Sequence, residues 1–188
     1  MRKYLILLCV FILVCGTIAY ARMSLTVIAG ENAPAGGGEC TWFGSEAIDR
    51  ASSASAEYTV IDLNNTSPLT GNVTSIKVYT TDTITGAEFA CFTDEGSNTW
   101  TTTGVVSGIN LAQGLNTLTG GGVDFTSFAC STGDYVGFYV PAGGGAIDHG
   151  TGPSTGWAYV EGDLIPSSSY SFDTSQIDHE LSVQFCVE

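Results

Sequence analysis

The chain has 188 residues, of which 44% are hydrophobic, and its 19 acidic residues against 5 Lys and Arg give a formal net charge of −14 at pH 7. A surface this acidic repels nucleic-acid phosphates and anionic lipid headgroups, which excludes both classes of partner. The length suits one domain with a full hydrophobic core.

Residues 1–21 have the three parts of a secretory signal peptide. A positive start (residues 2–3), an apolar core (4–18) and a small-x-small cleavage pattern (19–21) follow one another. We therefore expect a chain that is secreted, extracellular or at the cell surface, with no stable membrane insertion after cleavage. An uncleaved anchor is the alternative, but charged and Gly-rich sequence follows in place of a stop-transfer pattern.

Residues 22–39 precede the main domain as a β-prone strand and a linker. The strand covers residues 23–28, with Leu25, Val27 and Ile28 as apolar side chains, and a stretch rich in Gly, Ala and Pro follows it. Such a strand either pairs within its own domain, forms a disordered lead, or completes the sheet of a neighbouring copy. The third possibility would build a filament from copies of this chain.

Four cysteines follow the leader: Cys40, Cys91, Cys130 and Cys186. An even number in an oxidising compartment predicts two disulfides, with free buried thiols as the alternative. Four cysteines allow three connectivities. We favour Cys40 with Cys186, since this bridge would tie the two ends of the domain together, and this choice leaves Cys91 with Cys130.

Residues 40–188 have the pattern of an all-β domain. Clusters of Gly, Ser, Thr, Asn and Asp separate short apolar or alternating runs, and no window offers a long amphipathic helix. We predict an antiparallel, jelly-roll-like β-sandwich of about eight strands, stabilised by the disulfides. The predicted strands are residues 58–63, 73–80, 87–93, 100–106, 123–129, 134–140 and 180–187, with 157–160 and 170–172 as additional edge strands.

Alternation along these runs assigns side chains to the two faces of the sheets. In residues 134–140, Val136 and Phe138 share one face and oppose the tyrosines beside them. In the last strand Phe185 faces the core and Cys186 faces away. That orientation suits a bridge from Cys186 to an N-terminal segment lying alongside.

Four segments of this domain resemble a family of jelly-roll-like domains found in secreted, viral and environmental proteins. The segments are GSEAIDR (44–50), TGNVTSIKVYTTDTITGAEFACF (70–92), STGDYVGFYV (131–140) and GWAYVEGD (156–163). The resemblance covers residues 44–188 and implies the fold and its boundaries. The family is largely uncharacterised, so the resemblance implies no catalytic residue. The four cysteines and residues 146–149 depart from its usual pattern.

Catalytic chemistry has little support in the sequence. The two histidines, His149 and His179, each follow an aspartate, Asp148 and Asp178. The members of a Ser-His-Asp triad meet only in space, so these pairs alone do not define one. Carboxylate pairs of glycosidase type arise by chance in so acidic a chain. We therefore predict that the protein is not an enzyme.

A calcium site is possible in the turn at residues 94–98. Asp94, Glu95 and Asn98 supply hard oxygen ligands, and the glycine between them lets the chain curl around an ion. The spacing differs from that of an EF-hand loop. The alternative is a plain acidic hairpin turn, and no other cofactor is predicted.

Aromatic side chains next to loops indicate a binding surface. Trp100 and Trp157 lie at loop boundaries, and a Gly-rich stretch leads into Trp157 and Tyr159, with Asp148 just before it. A tryptophan beside short polar groups is how many β-sandwiches hold a sugar ring. The alternative is that the tryptophans close the ends of the sandwich.

Two functions follow from these observations. The first is a secreted, non-catalytic binding or adhesion module that recognises a glycan or a surface protein. The second is a structural subunit of an extracellular filament, assembled through donation of the N-terminal strand.

Overall fold

A computed structural model describes residues 39–188, except residues 55, 153–155, 167 and 173, and describes residues 174–176 without their side chains. Within this range the chain forms strands and no helix, so no described helix could cross a membrane.

The chain divides into two units, residues 1–37 and 38–188, and only the second belongs to the described part. The signal peptide at 1–21 and the strand at 23–28 lie outside the described residues. Both stay predictions.

Fifteen strands account for most of the described residues. They are β1 Thr41–Gly44, β2 Ser52–Ser53, β3 Tyr58–Asp62, β4 Gly71–Thr80, β5 Ile84–Gly96, β6 Thr99–Leu111, β7 Gly114–Thr119, β8 Phe128–Cys130, β9 Tyr135–Tyr139, β10 Asp148–Thr151, β11 Trp157–Glu161, β12 Ser168–Ser171, β13 Thr174–Gln176, β14 His179–Leu181 and β15 Val183–Val187.

These strands form three antiparallel sheets. The largest has the order β12-β6-β5-β9-β3-β11-β13, the second has the order β1-β15-β4-β7 with β8 also paired to β4, and the smallest has the order β14-β10-β2. The predicted all-β, antiparallel, disulfide-stabilised fold is confirmed. The number of strands exceeds the predicted eight, because residues 180–187 are divided between two sheets and several short strands, such as β1, β2, β7 and β10, were not predicted.

Two hydrophobic cores lie on the two faces of the seven-stranded sheet. The first core joins this sheet to the five-stranded sheet, with Phe89 and Phe138 meeting Ile76 and Phe185. The second core lies on the opposite face, around Phe92 and its neighbours. The strands of the large sheet are therefore apolar on both sides, and Val136 and Phe138 face the first core as predicted.

Residues 180–187 form two strands, where the sequence predicts one. Ser182 separates them, and its backbone bonds in two directions: its N–H donates to the Asp148 carbonyl, and its carbonyl accepts from the Tyr79 N–H. The chain thus passes from the three-stranded sheet (β14) to the five-stranded sheet (β15) at this residue. Ser182 is fully buried.

Both predicted disulfides are present. Cys40 pairs with Cys186 and Cys91 pairs with Cys130, each with Cα atoms 5.5 Å apart. The first bridge fixes the start of β1 against β15, and the second ties the large sheet to β8. Cys186 and Phe185 lie on opposite faces of β15, but Cys186 is fully buried. The prediction that Cys186 faces outward is therefore wrong as far as its exposure is concerned.

Candidate functional site

Two histidines and two aromatic residues from three strands come together at one edge of the first core. The imidazole of His149 (β10) lies 4.9 Å from the indole of Trp157 (β11) and 5.2 Å from the imidazole of His179 (β14), measured between ring centroids. Tyr159 lies 6.2 Å from Trp157. We call these four residues the imidazole–indole cluster. All four are half-buried.

Strand register explains why these side chains meet. On β11, Trp157 and Tyr159 face the first core while Ala158, between them, faces the second. On the small sheet, His149 pairs with Leu181, and His179 is two residues from Leu181 on the same face. Leu181 belongs to the first core, so both imidazoles point the same way as the indole.

Tyr58 extends the cluster along the neighbouring strand β3. Its ring lies 5.8 Å from that of Tyr159 in an edge-to-face arrangement, and both rings pack partly on the first core. The result is a row of half-exposed rings that is neither a fully buried plug nor an isolated surface tryptophan.

Three polar atoms of this region are buried without a hydrogen-bond partner among the described residues. They are the indole N–H nitrogen of Trp157, Nδ1 of His149 and Oδ1 of Asp148. Buried polar atoms are usually paired, because leaving one unpaired costs about 1–3 kcal/mol. Donors and acceptors beside apolar rings are what a hydroxyl-rich ligand requires.

A network around Arg50 holds the strands that carry the two histidines. The Arg50 backbone N–H donates to Oδ2 of Asp148 at 3.1 Å. Its side chain donates from Nε to Oγ of Ser182 and from Nη1 to Oε2 of Glu180, both at 2.9 Å. Asp148 itself is 1% exposed. It therefore supports the cluster from beneath and is not a surface residue.

The environment of His149 favours the neutral form of its imidazole. Burial lowers the pKa of His149, the neighbouring His179 lowers it further, and Asp148 opposes both effects. Burial raises the pKa of Asp148, while the hydrogen bond from the Arg50 backbone lowers it. A neutral His149 beside the indole of Trp157 favours a neutral ligand over an ion.

Trp100 does not belong to this site. Its side chain is 3% exposed and lies in the second core, where its ring centroid is 5.2 Å from that of Tyr135. Its rings contact other side chains, and ligand contact by Trp100 stays a prediction. Of the predicted ligand-binding residues, only Trp157 and Tyr159 have exposed surface in the cluster.

The predicted calcium ligands occupy the hairpin turn between β5 and β6. Oδ1 of Asp94 accepts the Gly96 N–H at 2.8 Å, and the Asn98 amide donates to the Phe172 carbonyl at 2.9 Å. These bonds account for the shape of the turn without an ion. No group of three or more His, Cys, Asp or Glu that could hold a metal occurs among the described residues. Calcium binding by Asp94, Glu95 and Asn98 stays a prediction.

Sequence reasoning did not foresee that both histidines lie beside Trp157. The signal available was weak, since two Asp-His pairs also occur by chance in an acidic chain. Residues 152–156 read GPSTG and fit the Gly-x-Ser-x-Gly pattern of a nucleophile elbow, a match that the prediction of a non-catalytic protein overlooked. That elbow joins a strand to a helix, whereas a strand, β11, follows here. Residues 153–155 lie outside the described residues.

Comparison with protein-family models, with curated proteins and with solved structures found no match. The resemblance to the jelly-roll-like family therefore stays a prediction, and function is argued from the site.

Proposed function

We propose that the protein is a secreted, non-catalytic binding module that recognises a neutral glycan through the imidazole–indole cluster. The observation that carries this proposal is the meeting of His149, Trp157 and His179, with the indole N–H of Trp157 buried and unpaired among the described residues. Two disulfides support an extracellular location.

The chemistry of the cluster fits a sugar. Aromatic rings stack on the apolar face of a pyranose, and the half-buried rings of Trp157 and Tyr159 supply such a face. The net charge of −14 disfavours anionic polysaccharides. A neutral glycan is therefore the ligand class that the site supports best.

Asp148 and His149 are neighbours in the sequence, but their side chains are not joined through Oδ1 and Nδ1. Oδ1 of Asp148 and Nδ1 of His149 both lack partners within the described part of the chain, so they are not bonded to each other. The other carboxylate oxygen accepts from the Arg50 backbone. This pair thus lacks the Asp-His hydrogen bond that orients a catalytic imidazole.

Affinity electrophoresis in gels containing soluble polysaccharides tests the proposal. Mannan, β-glucan and galactan serve as neutral probes, and polygalacturonate serves as the anionic control. We expect at least one neutral polymer to retard the protein, and Trp157→Ala to weaken retardation on the order of tenfold or more. Trp157→Phe keeps an aromatic ring but removes the indole N–H, so it separates the contribution of ring stacking from that of the N–H group.

Trp42→Ala is the matched control, because Trp42 is also half-buried but contacts Lys77, 4.3 Å from its ring, and is not part of the cluster. It should leave retardation unchanged. Equal loss in Trp42→Ala and Trp157→Ala, or no retardation by any neutral polymer, would contradict the proposal. Melting temperatures of each variant show whether a loss of binding reflects a loss of folding.

The alternative function, a filament subunit, requires a sheet edge that can accept the strand at residues 23–28. Strand β7 offers such an edge.

A further inference from the structure

Strand β7 lies at an edge of the five-stranded sheet. It pairs with β4 from Ser75↔Thr119 to Thr80↔Gly114, and no other described strand pairs with it. Strand β8 pairs with the other end of β4 and leaves the outer side of β7 free of strand partners within the described range.

The hydrogen-bond pattern identifies which groups of β7 point outward. The Gly120 N–H donates to the Thr74 carbonyl, and the residues of an antiparallel pair bond at alternate positions. Leu118 and Asn116 therefore bond to β4. Leu115 and Thr117 direct their N–H and C=O groups away from the sheet. Thr119, the next residue in this series, also points outward.

One end of this edge is closed by a side chain. The Thr119 N–H donates to Oδ2 of Asp124, and the Asp124 N–H donates to the Thr119 carbonyl. The four outward groups of Leu115 and Thr117 have no such cover among the described residues. An incoming strand would meet a short ladder that ends at Asp124.

The β7 edge lacks the usual protection against pairing. Natural edge strands carry charged residues or prolines that discourage a new strand, but β7 reads GLNTLT. Leu115 is 58% exposed. At the opposite edge of the same sheet, by contrast, Gly44 of β1 exchanges hydrogen bonds with Asn65 and is covered.

We infer that the β7 edge accepts residues 23–28 of a second copy of this chain. This segment reads MSLTVI and, like β7, carries no charge in a chain with 19 acidic residues. Two uncharged strands pair without bringing carboxylates together. Main-chain hydrogen bonds to Leu115 and Thr117 supply the contact.

The order of the strands gives pairing with a second copy a head-to-tail geometry. The chain preceding residue 39 enters the sheet at β1, and the order β1-β15-β4-β7 places the acceptor at the opposite edge. A donor at one edge and an acceptor at the other give a head-to-tail contact that extends into a chain.

This inference goes beyond glycan recognition and is tested separately from it. Sedimentation velocity over a range of concentrations is applied to the chain without its leader and to Thr117→Pro. Proline removes an N–H that is not bonded to β4, so the fold tolerates it while the outward ladder is lost. We expect wild type to associate with rising concentration, and Thr117→Pro to associate on the order of tenfold more weakly or not at all.

Thr117→Ala is the control, because it keeps the backbone N–H and should associate like wild type. Unchanged association in Thr117→Pro, or a wild type that stays monomeric at all concentrations, would overturn the inference. Melting temperatures exclude misfolding of the proline variant. If that variant does not fold, mixing Thr26→Cys and Thr117→Cys proteins replaces the test. A disulfide between the two proteins supports the inference, and its absence contradicts it.

A peptide experiment separates pairing within one copy from pairing between copies. Residues 38–188 form a unit of their own that contains both disulfides. This truncated protein should be monomeric and should bind a synthetic MSLTVI peptide, and Thr117→Pro should abolish that binding. Peptide binding by the truncated protein together with a monomeric full-length protein would show that the strand pairs within its own copy, which overturns assembly.

Discussion

At the scale of a single residue, burial and charged or titratable neighbours act on the pKa of the His149 imidazole. Burial and the nearby His179 ring both disfavour the protonated form, while Asp148 favours it. The sequence shows only that an aspartate precedes this histidine. Its burial depends on β11 and β14, which lie elsewhere in the chain. A pKa argument for this residue therefore needs the fold.

We expect His149 to titrate below its ordinary pKa of about 6.5. Because the unfolded chain then binds this proton first as the pH falls, His149 lowers the stability of the fold below about pH 6.5. Asp62 and Asp148, whose pKa values burial raises, act with the opposite sign. The melting temperature of wild type should thus fall relative to that of His149→Gln between about pH 7 and about pH 5. A constant difference between the two proteins across this range would contradict the expectation.

At the scale of strands, the alternation of side chains correctly located those strands of the large sheet that are apolar on both faces. β9 lies within the predicted 134–140, and β5 extends the predicted 87–93 at both ends. Residues 180–187 misled the prediction because Ser182 changes sheets without interrupting the alternation of apolar residues. Only the hydrogen bonds of its backbone, to Asp148 and Tyr79, reveal the change.

Strand β7 was missed because its two leucines face different ways. Leu115 is exposed on the outer face and Leu118 is buried, so GLNTLT shows no period of two in hydrophobicity. The predicted strand at 123–129 is reduced to Phe128–Cys130, since Gly121 and Gly122 take positive φ values and form a turn before it. An edge strand is open to solvent along one side, which weakens its hydrophobic pattern. The same open side makes it accessible to a partner strand.

The crossing of β6 and β8 provides a test of packing between strands. A Cβ atom on Gly104 would lie 2.2 Å from the carbonyl oxygen of Ala129 and 2.7 Å from its nitrogen, so backbone must move. Gly104→Ala should lower the free energy of unfolding by roughly 1–3 kcal/mol or more in urea denaturation. Gly150→Ala is the control, because its Cβ would meet only the flexible side chain of Arg50 at 3.4 Å. Equal stability of the two variants would show that the crossing is looser than described.

At the scale of the whole molecule, the sequence indicated the disulfides but not the cluster. Cys40 and Cys186 stand at the two ends of one domain, which is visible in the sequence as a reason to pair. His149, Trp157 and His179 lie on strands of two different sheets, and nothing in their spacing places them together. Long-range pairing of strands creates such a site, and a single sequence does not encode it as a pattern.

The terminal disulfide should matter more for stability than the internal one. It closes a separation of 146 residues against 39 for Cys91–Cys130, which the chain-entropy model converts to about 5 and about 4 kcal/mol. Replacing Cys40 and Cys186 by Ser should also increase hydrogen exchange along β1, because β15 is the only described strand that pairs with it. Exchange at β1 that matches wild type would contradict this role.

The most direct test of glycan recognition uses the two histidines of the sequence as reporters. Both imidazoles belong to the cluster, so their Cε1–H signals in an NMR spectrum report on this site and no other. Titration with oligosaccharides of the polymer that retards the protein should shift both signals to saturation, and Trp157→Ala should abolish the shifts. Retardation by a polysaccharide whose oligosaccharides leave both histidine signals unchanged would contradict the account, because the ligand would then bind elsewhere.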